Sequence, residues 1–326
     1  MPLFVTAIFL SAFLLFQVQP VIARYILPWY GGSPGVWTTC LLFFQVGLLG
    51  GYAYTHGLVS GLREKRGWQV GIHLGLLGLA MILLPITPSH DLKPTGGDDD
   101  PIWGIVRLLA STVGFPYLLI SASGPLLQHW FAEAYPTRSP YRLYAISNIG
   151  SMLGLLTYPF LFEPMLTVAK QTQVWSIGFA VYGLFAVGCG YAFLKHREKS
   201  DAFSTEAKDK IDTTPLLDKL LWVVFPACGS MLLLALTNQM CQDVAVVPFL
   251  WVLPLSLYLL TFVIAFDHAR WYFRPVALPL AVLAIAAVVK LILSSFSEEE
   301  MHINRQIAIY CSAIFFGCMA CHGEAV

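Results

Sequence analysis

Residues 3–22 read LFVTAIFLSAFLLFQVQPVI, and not one of them carries a charge. At the 1.5 Å rise of an α-helix, roughly 20 such residues cross the hydrocarbon core of a bilayer. No Lys or Arg precedes the stretch as it would in a cleavable signal peptide, so it reads as a retained first membrane helix. Applied along the chain, the same criterion predicts ten spans: 3–23, 35–57, 68–87, 103–123, 143–163, 173–194, 220–237, 245–266, 275–294 and 304–321. The seventh is followed by a polar break made of Thr237, Asn238, Gln239, Gln242 and Asp243.

Composition agrees with that reading. The 326 residues are 57% hydrophobic and 12% charged, about half the charged share of an average soluble domain. Lys and Arg balance Asp and Glu at 19 each, which gives no reason to expect nucleic acid as a partner. The seven cysteines, at 40, 189, 228, 241, 311, 318 and 321, sit mostly in apolar runs, where a thiol acts as a small hydrophobe, and no structural disulfide is expected. The longest connection runs from Lys195 to Lys219, too short for a soluble catalytic domain. No phosphate-binding loop, HExxH or zinc-type cysteine spacing is present. The expectation is a membrane protein that is not an enzyme.

Basic residues mark the cytoplasmic loops of membrane proteins. Here they follow even-numbered spans: Arg63, Lys65 and Arg66; Arg138 and Arg142; Lys195 to Lys219; and Arg270 and Arg274. Odd connections are poor in them and twice acidic, at Asp98–Asp100 and Glu298–Glu300. A cytoplasmic N-terminus follows. The polar, mixed-charge linker 196–219 separates a six-helix half, 1–195, from a four-helix half, 220–326. Each half has amides late in its first helix (Gln17 and Gln19; Asn238 and Gln239) and then a second helix running from a Trp to a His (Trp37 to His56; Trp251 to His268). This is a weak internal repeat. Parallel six-helix repeats are the plan of major-facilitator transporters, and on that plan the second half is two helices short.

Polar side chains inside a bilayer are costly, so each is a candidate for function or for bonding between helices. Gln17, Gln19 and Arg24 flank an expected break at Pro20 and together could hold an anionic or amide-bearing group. The alternative has Arg24 reaching to the outer interface and the glutamines bonding to neighbouring helices. Asn238, Gln239 and Asp243 occupy the matching place in the second half, with Asp243 a candidate coupling-ion site or a wet loop residue. Weaker candidates are Gln45, Gln128, Asn148, Glu163, His322 and Glu324. Arg107 is expected to pair with Asp98–Asp100. The spacings Gly47/Gly51 and Gly150/Gly154 suit close helix packing. Cys318-Met319-Ala320-Cys321-His322 matches the CxxCH pattern of c-type haem attachment, but that chemistry belongs to the opposite face from the one this topology gives the motif, so no cofactor is expected.

Several longer strings carry a family resemblance: Phe16 to Arg24 with Gly31-Gly32-Ser33-Pro34 and Trp37; Ser147-Asn148-Ile149-Gly150-Ser151 running into Tyr158-Pro159-Phe160-Leu161-Phe162-Glu163-Pro164; Pro248 to Leu260; and Cys321-His322-Gly323-Glu324. Together they resemble bacterial fused major-facilitator and spermidine-synthase-like membrane proteins. The resemblance implies a major-facilitator-like helical bundle in the bacterial inner membrane. In longer members that bundle precedes an aminopropyltransferase-like domain. This sequence has no Gly-rich nucleotide loop with a following acidic residue and no synthase-type catalytic Asp, so polyamine synthesis is not expected of it. Three readings result: a transporter-like bundle that moves or binds a small polar solute, a membrane anchor or scaffold for a synthase-like domain or another partner, and a haem-bearing redox protein.

Overall fold

A computed structural model describes residues 1–94, 101–138, 141–195, 215–243, 249–267, 269–294 and 302–325. Residues 196–214 of the predicted linker 196–219, the acidic runs 98–100 and 298–300, and His268 lie outside the described residues, and the remainder of that linker is helical from Leu216. Within them the chain is helical and contains no strand. The long helices are α1 (Pro2–Tyr30), α2 (Pro34–Gly61), α3 (Arg66–Ile82) and α4 (Pro101–Leu109, a π-helical turn Ala110–Gly114, then Phe115–Ala134). They continue as α5 (Tyr141–Thr157, a π turn Tyr158–Phe162, then Glu163–Met165), α6 (Val168–Lys195), α7 (Leu216–Asp243), α8 (Phe249–Asp267), α9 (Arg274–Ser294) and α10 (Ile303–Ala325). Eight are long and apolar enough to cross a membrane; α3 has 17 residues and α8 contributes the shorter apolar stretch Val252–Phe266. The protein is a multi-pass helical membrane bundle.

Helix ends differ from the sequence expectation where proline and amides were taken as breakers. α1 does not stop near Pro20 but continues through Pro20 and Pro28 to Gly31, whose φ of 80° suits glycine and whose N–H donates to the Leu27 carbonyl at 3.0 Å. α4 likewise runs through Gly124 and Pro125, so Gln128 and His129 are helical. α7 passes straight through Thr237–Gln242 and ends at Asp243. Lipid explains all three: an interrupted helix exposes unpaired backbone groups to hydrocarbon, so continuing the helix costs less than breaking it. α3 ends earlier than expected, at Ile82, ahead of Pro85, which cannot extend a helix.

The chain packs as two units, Met1–Ala202 and Phe203–Val326. In the first, α1 lies along α5 and α6 and against α4, while α2 packs on α4. Small residues set these approaches. A Cβ on Gly150 would lie 2.6 Å from the Phe9 carbonyl oxygen, and one on Gly154 would collide with the Phe13 carbonyl; a Cβ on Gly51 would meet Ser121 Cβ at 2.6 Å. Side-chain bonds then fix the helices: Trp175 Nε1 donates to the Leu14 carbonyl at 2.8 Å, Thr55 Oγ1 to the Ala122 carbonyl at 3.1 Å, and Trp130 Nε1 to Gln69 Oε1 at 3.3 Å.

The second unit is built around α10, which contacts α7, α8 and α9. Its ends carry a pattern also found in the first unit. Arg66, the first residue of α3, pairs with Glu133 in the last turn of α4 at 2.6 Å; Arg274, the first residue of α9, pairs with Glu324 in the last turn of α10 at 2.9 Å. The same ion pair thus ties the third helix to the fourth in both units. His129 at 3.2 Å adds to the first pair, and Tyr272, donating at 2.7 Å, adds to the second. Burial, then the neighbouring carboxylate, pushes the Tyr272 hydroxyl up to about 12, which keeps it a donor.

Gly154→Leu should lower the thermal midpoint of the detergent-solubilised protein, by an overpacking cost of about 1–3 kcal/mol or more. Gly57→Ala, where nothing lies within 4 Å of an added Cβ, should leave the midpoint unchanged. Equal midpoints for both variants would contradict close α1/α5 packing.

Candidate functional site

α2 carries Thr38, Gln45 and Tyr52 at seven-residue intervals, and all three are exposed. That interval returns to nearly the same angle on a helix, so the three lie on one side of α2, interleaved with the exposed Leu42 and Leu49. Gln45 sits near the middle of α2, and Tyr52 is 50% exposed. Neighbouring helices extend that side into a face. Tyr117 on α4 stands over Gly47, where a Cβ would meet its ring at 2.8 Å. The Gln19 side chain on α1 lies against the Tyr117 hydroxyl, and Tyr52 is within electrostatic reach of Tyr117. Tyr52 is also within reach of Tyr144 on α5, which lies against Asn148 one turn further on. The Asn148 amide nitrogen is buried with no hydrogen-bond acceptor among the described residues.

An amide or phenol at this depth cannot face hydrocarbon cheaply, because an unpaired amide or hydroxyl loses about 2–7 kcal/mol on leaving water. Polar groups at membrane depth accordingly face protein or a water-filled path. The face from Gln19 to Asn148 therefore calls for protein or water as its neighbour rather than lipid. It offers amides that donate and accept, and phenols that do both. Among the described residues that form it, none is ionised.

Arg24 is committed elsewhere. Its guanidinium pairs with Glu163 at 2.8 Å, with the two side chains 40% and 31% exposed. The pair clamps α1 to α5. Beneath it, Tyr158 in the π turn donates to Gln171 Oε1 at 3.0 Å, and Gln171 Nε2 donates to the Leu166 carbonyl at 3.0 Å. Gln17 is buried with its amide nitrogen unpartnered among the described residues. The α1/α5 register, Phe9 by Gly150 and Phe13 by Gly154, sets Gln17 level with Tyr158. Gln17 and Gln19 thus turn to different neighbours and, with Arg24, do not converge on one group.

In the second unit Asn238 and Gln239 are half-buried in the last turns of α7, with Thr237 buried beside them. The side chain of Asp243 lies outside the described residues, as do the expected partners of Arg107. Gln128 is half-buried on α4. His322 is 1% exposed, enclosed by α7 and α8, and Glu324 belongs to the ion pair with Arg274. Cys318 is buried one turn before His322, and all seven cysteines are free thiols.

Sequence reading missed Tyr52, Tyr117 and Tyr144, because aromatics in a membrane helix pass as packing. The seven-residue recurrence of Thr38, Gln45 and Tyr52 was the available signal. It also missed His73, fully buried on α3, with Nδ1 3.4 Å from the Tyr54 hydroxyl and its ring edge-on to Trp130. No family model, curated protein or solved structure matches the chain.

A double-mutant cycle should resolve the clamp. Arg24→Gln and Glu163→Gln should each reduce thermal stability, and the double variant should be no worse than either. The coupling should be about 0.5–1 kcal/mol, discounted for solvent screening of a partly exposed pair. Strictly additive losses would show that the two charges do not act together.

Proposed function

We propose that this chain is a transporter-type membrane module that binds a small, polar, uncharged or weakly charged solute on the first unit, at Gln19, Gln45, Tyr52, Tyr117, Tyr144 and Asn148. The observation that carries the reading is the recurrence of exposed Thr38, Gln45 and Tyr52 on one side of α2, near the buried, unpartnered Asn148 amide, because polar groups are costly in a surface turned to lipid. Amides and phenols suit ligands with several hydroxyl, amide or amine groups, and a site without ionised residues recognises by hydrogen bonds rather than by charge.

A major-facilitator-type plan of two related halves accords with this, and the matched Arg66–Glu133 and Arg274–Glu324 pairs support it. So do the strings that resemble major-facilitator and spermidine-synthase-like proteins. On this reading the module lies in a bacterial cytoplasmic membrane with the N-terminus and the basic loops inside. It has no catalytic role, no cofactor and no nucleic-acid partner. The anchor reading, in which a synthase-like domain or another protein is the partner, draws on the Arg24–Glu163 clamp, since there a candidate ligand residue bonds helix to helix.

Thermal stabilisation of the purified protein by panels of polyamines, amino acids and sugars tests the choice. A solute-specific rise that Tyr52→Phe or Gln45→Leu removes, without changing the ligand-free midpoint, is the expected result. No shift with any solute in the parent protein would reject solute binding and leave the anchor reading.

A further inference from the structure

The second unit holds a buried histidine with one ring nitrogen hydrogen-bonded and the other without a partner among the described residues. Thr261 Oγ1 donates its hydrogen to the Tyr258 carbonyl at 2.7 Å and lies 3.0 Å from His322 Nδ1. When the hydroxyl gives its one hydrogen to that carbonyl it accepts from His322, and in that tautomer Nδ1 carries the N–H and Nε2 is a bare lone pair. Nε2 is buried and has no partner among the described residues. It points at α7, where a Cβ on Gly229 would lie 3.1 Å from it. The ring is held by Phe262, with centroids 3.8 Å apart, and edge-on by Tyr258 at 5.0 Å. His73 also has an unpartnered Nε2, but nothing there fixes its tautomer.

We propose that His322 Nε2 is a proton-binding site that controls the contact between α10 and α7. A proton taken from water forms an Nε2–H bond on the lone pair and leaves an imidazolium. Its new donor then faces the Gly229 backbone methylene with no acceptor, while Nδ1–H keeps Thr261. A buried charge with an unpaired donor is tolerated only if water or an acceptor reaches it. Protonation therefore drives α7 away from α10 at Gly229 and admits water.

The surrounding groups leave no other place for that charge to go. The titratable side chains around the ring are thiols and a phenol: Cys318 and Cys321 on α10, Cys228 near Cys321 on α7, and Tyr258 on α8. Cys318 Sγ is directed to the Gly229 carbonyl at 3.5 Å. The carboxylate in the next turn of α10, Glu324, is held by Arg274 and Tyr272. The side chain of Asp267, at the end of α8, is outside the described residues. The proposal stands apart from the solute face of the first unit and survives if that reading fails.

Hydrogen exchange of the whole protein in lipid nanodiscs, corrected for intrinsic rates, tests it between about pH 8 and about pH 4. Peptides spanning Gly229 and Cys318 should exchange at least about tenfold faster at the acid end. His322→Asn, whose amide can still donate to Thr261 but cannot titrate, should abolish the difference. If that variant does not fold, ¹⁵N-histidine NMR of the parent protein should show one histidine whose unprotonated Nε2 gains a proton over the pH range in which exchange rises. A pH-independent exchange pattern in the parent, the same acid response in His322→Asn, or an Nε2 already protonated at the alkaline end would overturn the proposal.

Discussion

Every backbone and side-chain polar group that enters the bilayer must find its partner inside the protein, because hydrocarbon offers none. That constraint organises the whole molecule. It keeps α1, α4 and α7 helical through prolines and amides that would end a helix in water. It also commits the indole, hydroxyl and amide groups between helices to neighbouring carbonyls, as with Trp175 on Leu14 and Thr55 on Ala122. Among the described residues such commitment fails at Gln17, His73, Asn148, Thr237, Ser256 and His322, and these exceptions are informative.

Close approach makes this possible. The carbonyls of Phe9 and Phe13 can face α5 at short range only because Gly150 and Gly154 lack side chains there. Helix association in lipid has no hydrophobic driving force of its own, so packing and interhelical bonds must supply it. The ion pairs at helix ends complete the scheme: Arg24–Glu163 at one end of the first unit, Arg66–Glu133 at the other, and Arg274–Glu324 in the second unit. Each joins the end of one helix to another, where water still reaches the charges and the cost of burying them stays low.

Much of the architecture could be read before any coordinates. Length and apolarity alone locate the helices, and two GxxxG spacings locate two close contacts. Helix ends could not be read, since Pro20, Pro125 and the run from Thr237 to Gln242 obey the rules of lipid rather than those of water. The site was legible only in part. Gln19, Gln45 and Asn148 stood out as amides in apolar runs, but their convergence with Tyr52, Tyr117 and Tyr144 depends on which helices neighbour one another, and no local pattern encodes that. The pairing of Arg24 with Glu163 joins residues far apart in sequence, so each charge alone gave no sign of the other. The Cys318-to-His322 string suggested cofactor chemistry by its letters, whereas Thr261 and Gly229, distant in sequence, define what its histidine can do.

The central claim is that one face of the first unit meets water or a polar ligand at membrane depth, and thiol accessibility tests it most directly. Cysteines introduced singly at Gln45, Tyr52 and, as a lipid-facing control, Leu184 (73% exposed on α6) would be exposed to a membrane-impermeant maleimide in proteoliposomes, with site-resolved detection by mass spectrometry. The account predicts rapid modification at positions 45 and 52 and none at 184. Protection at all three positions alike would contradict it.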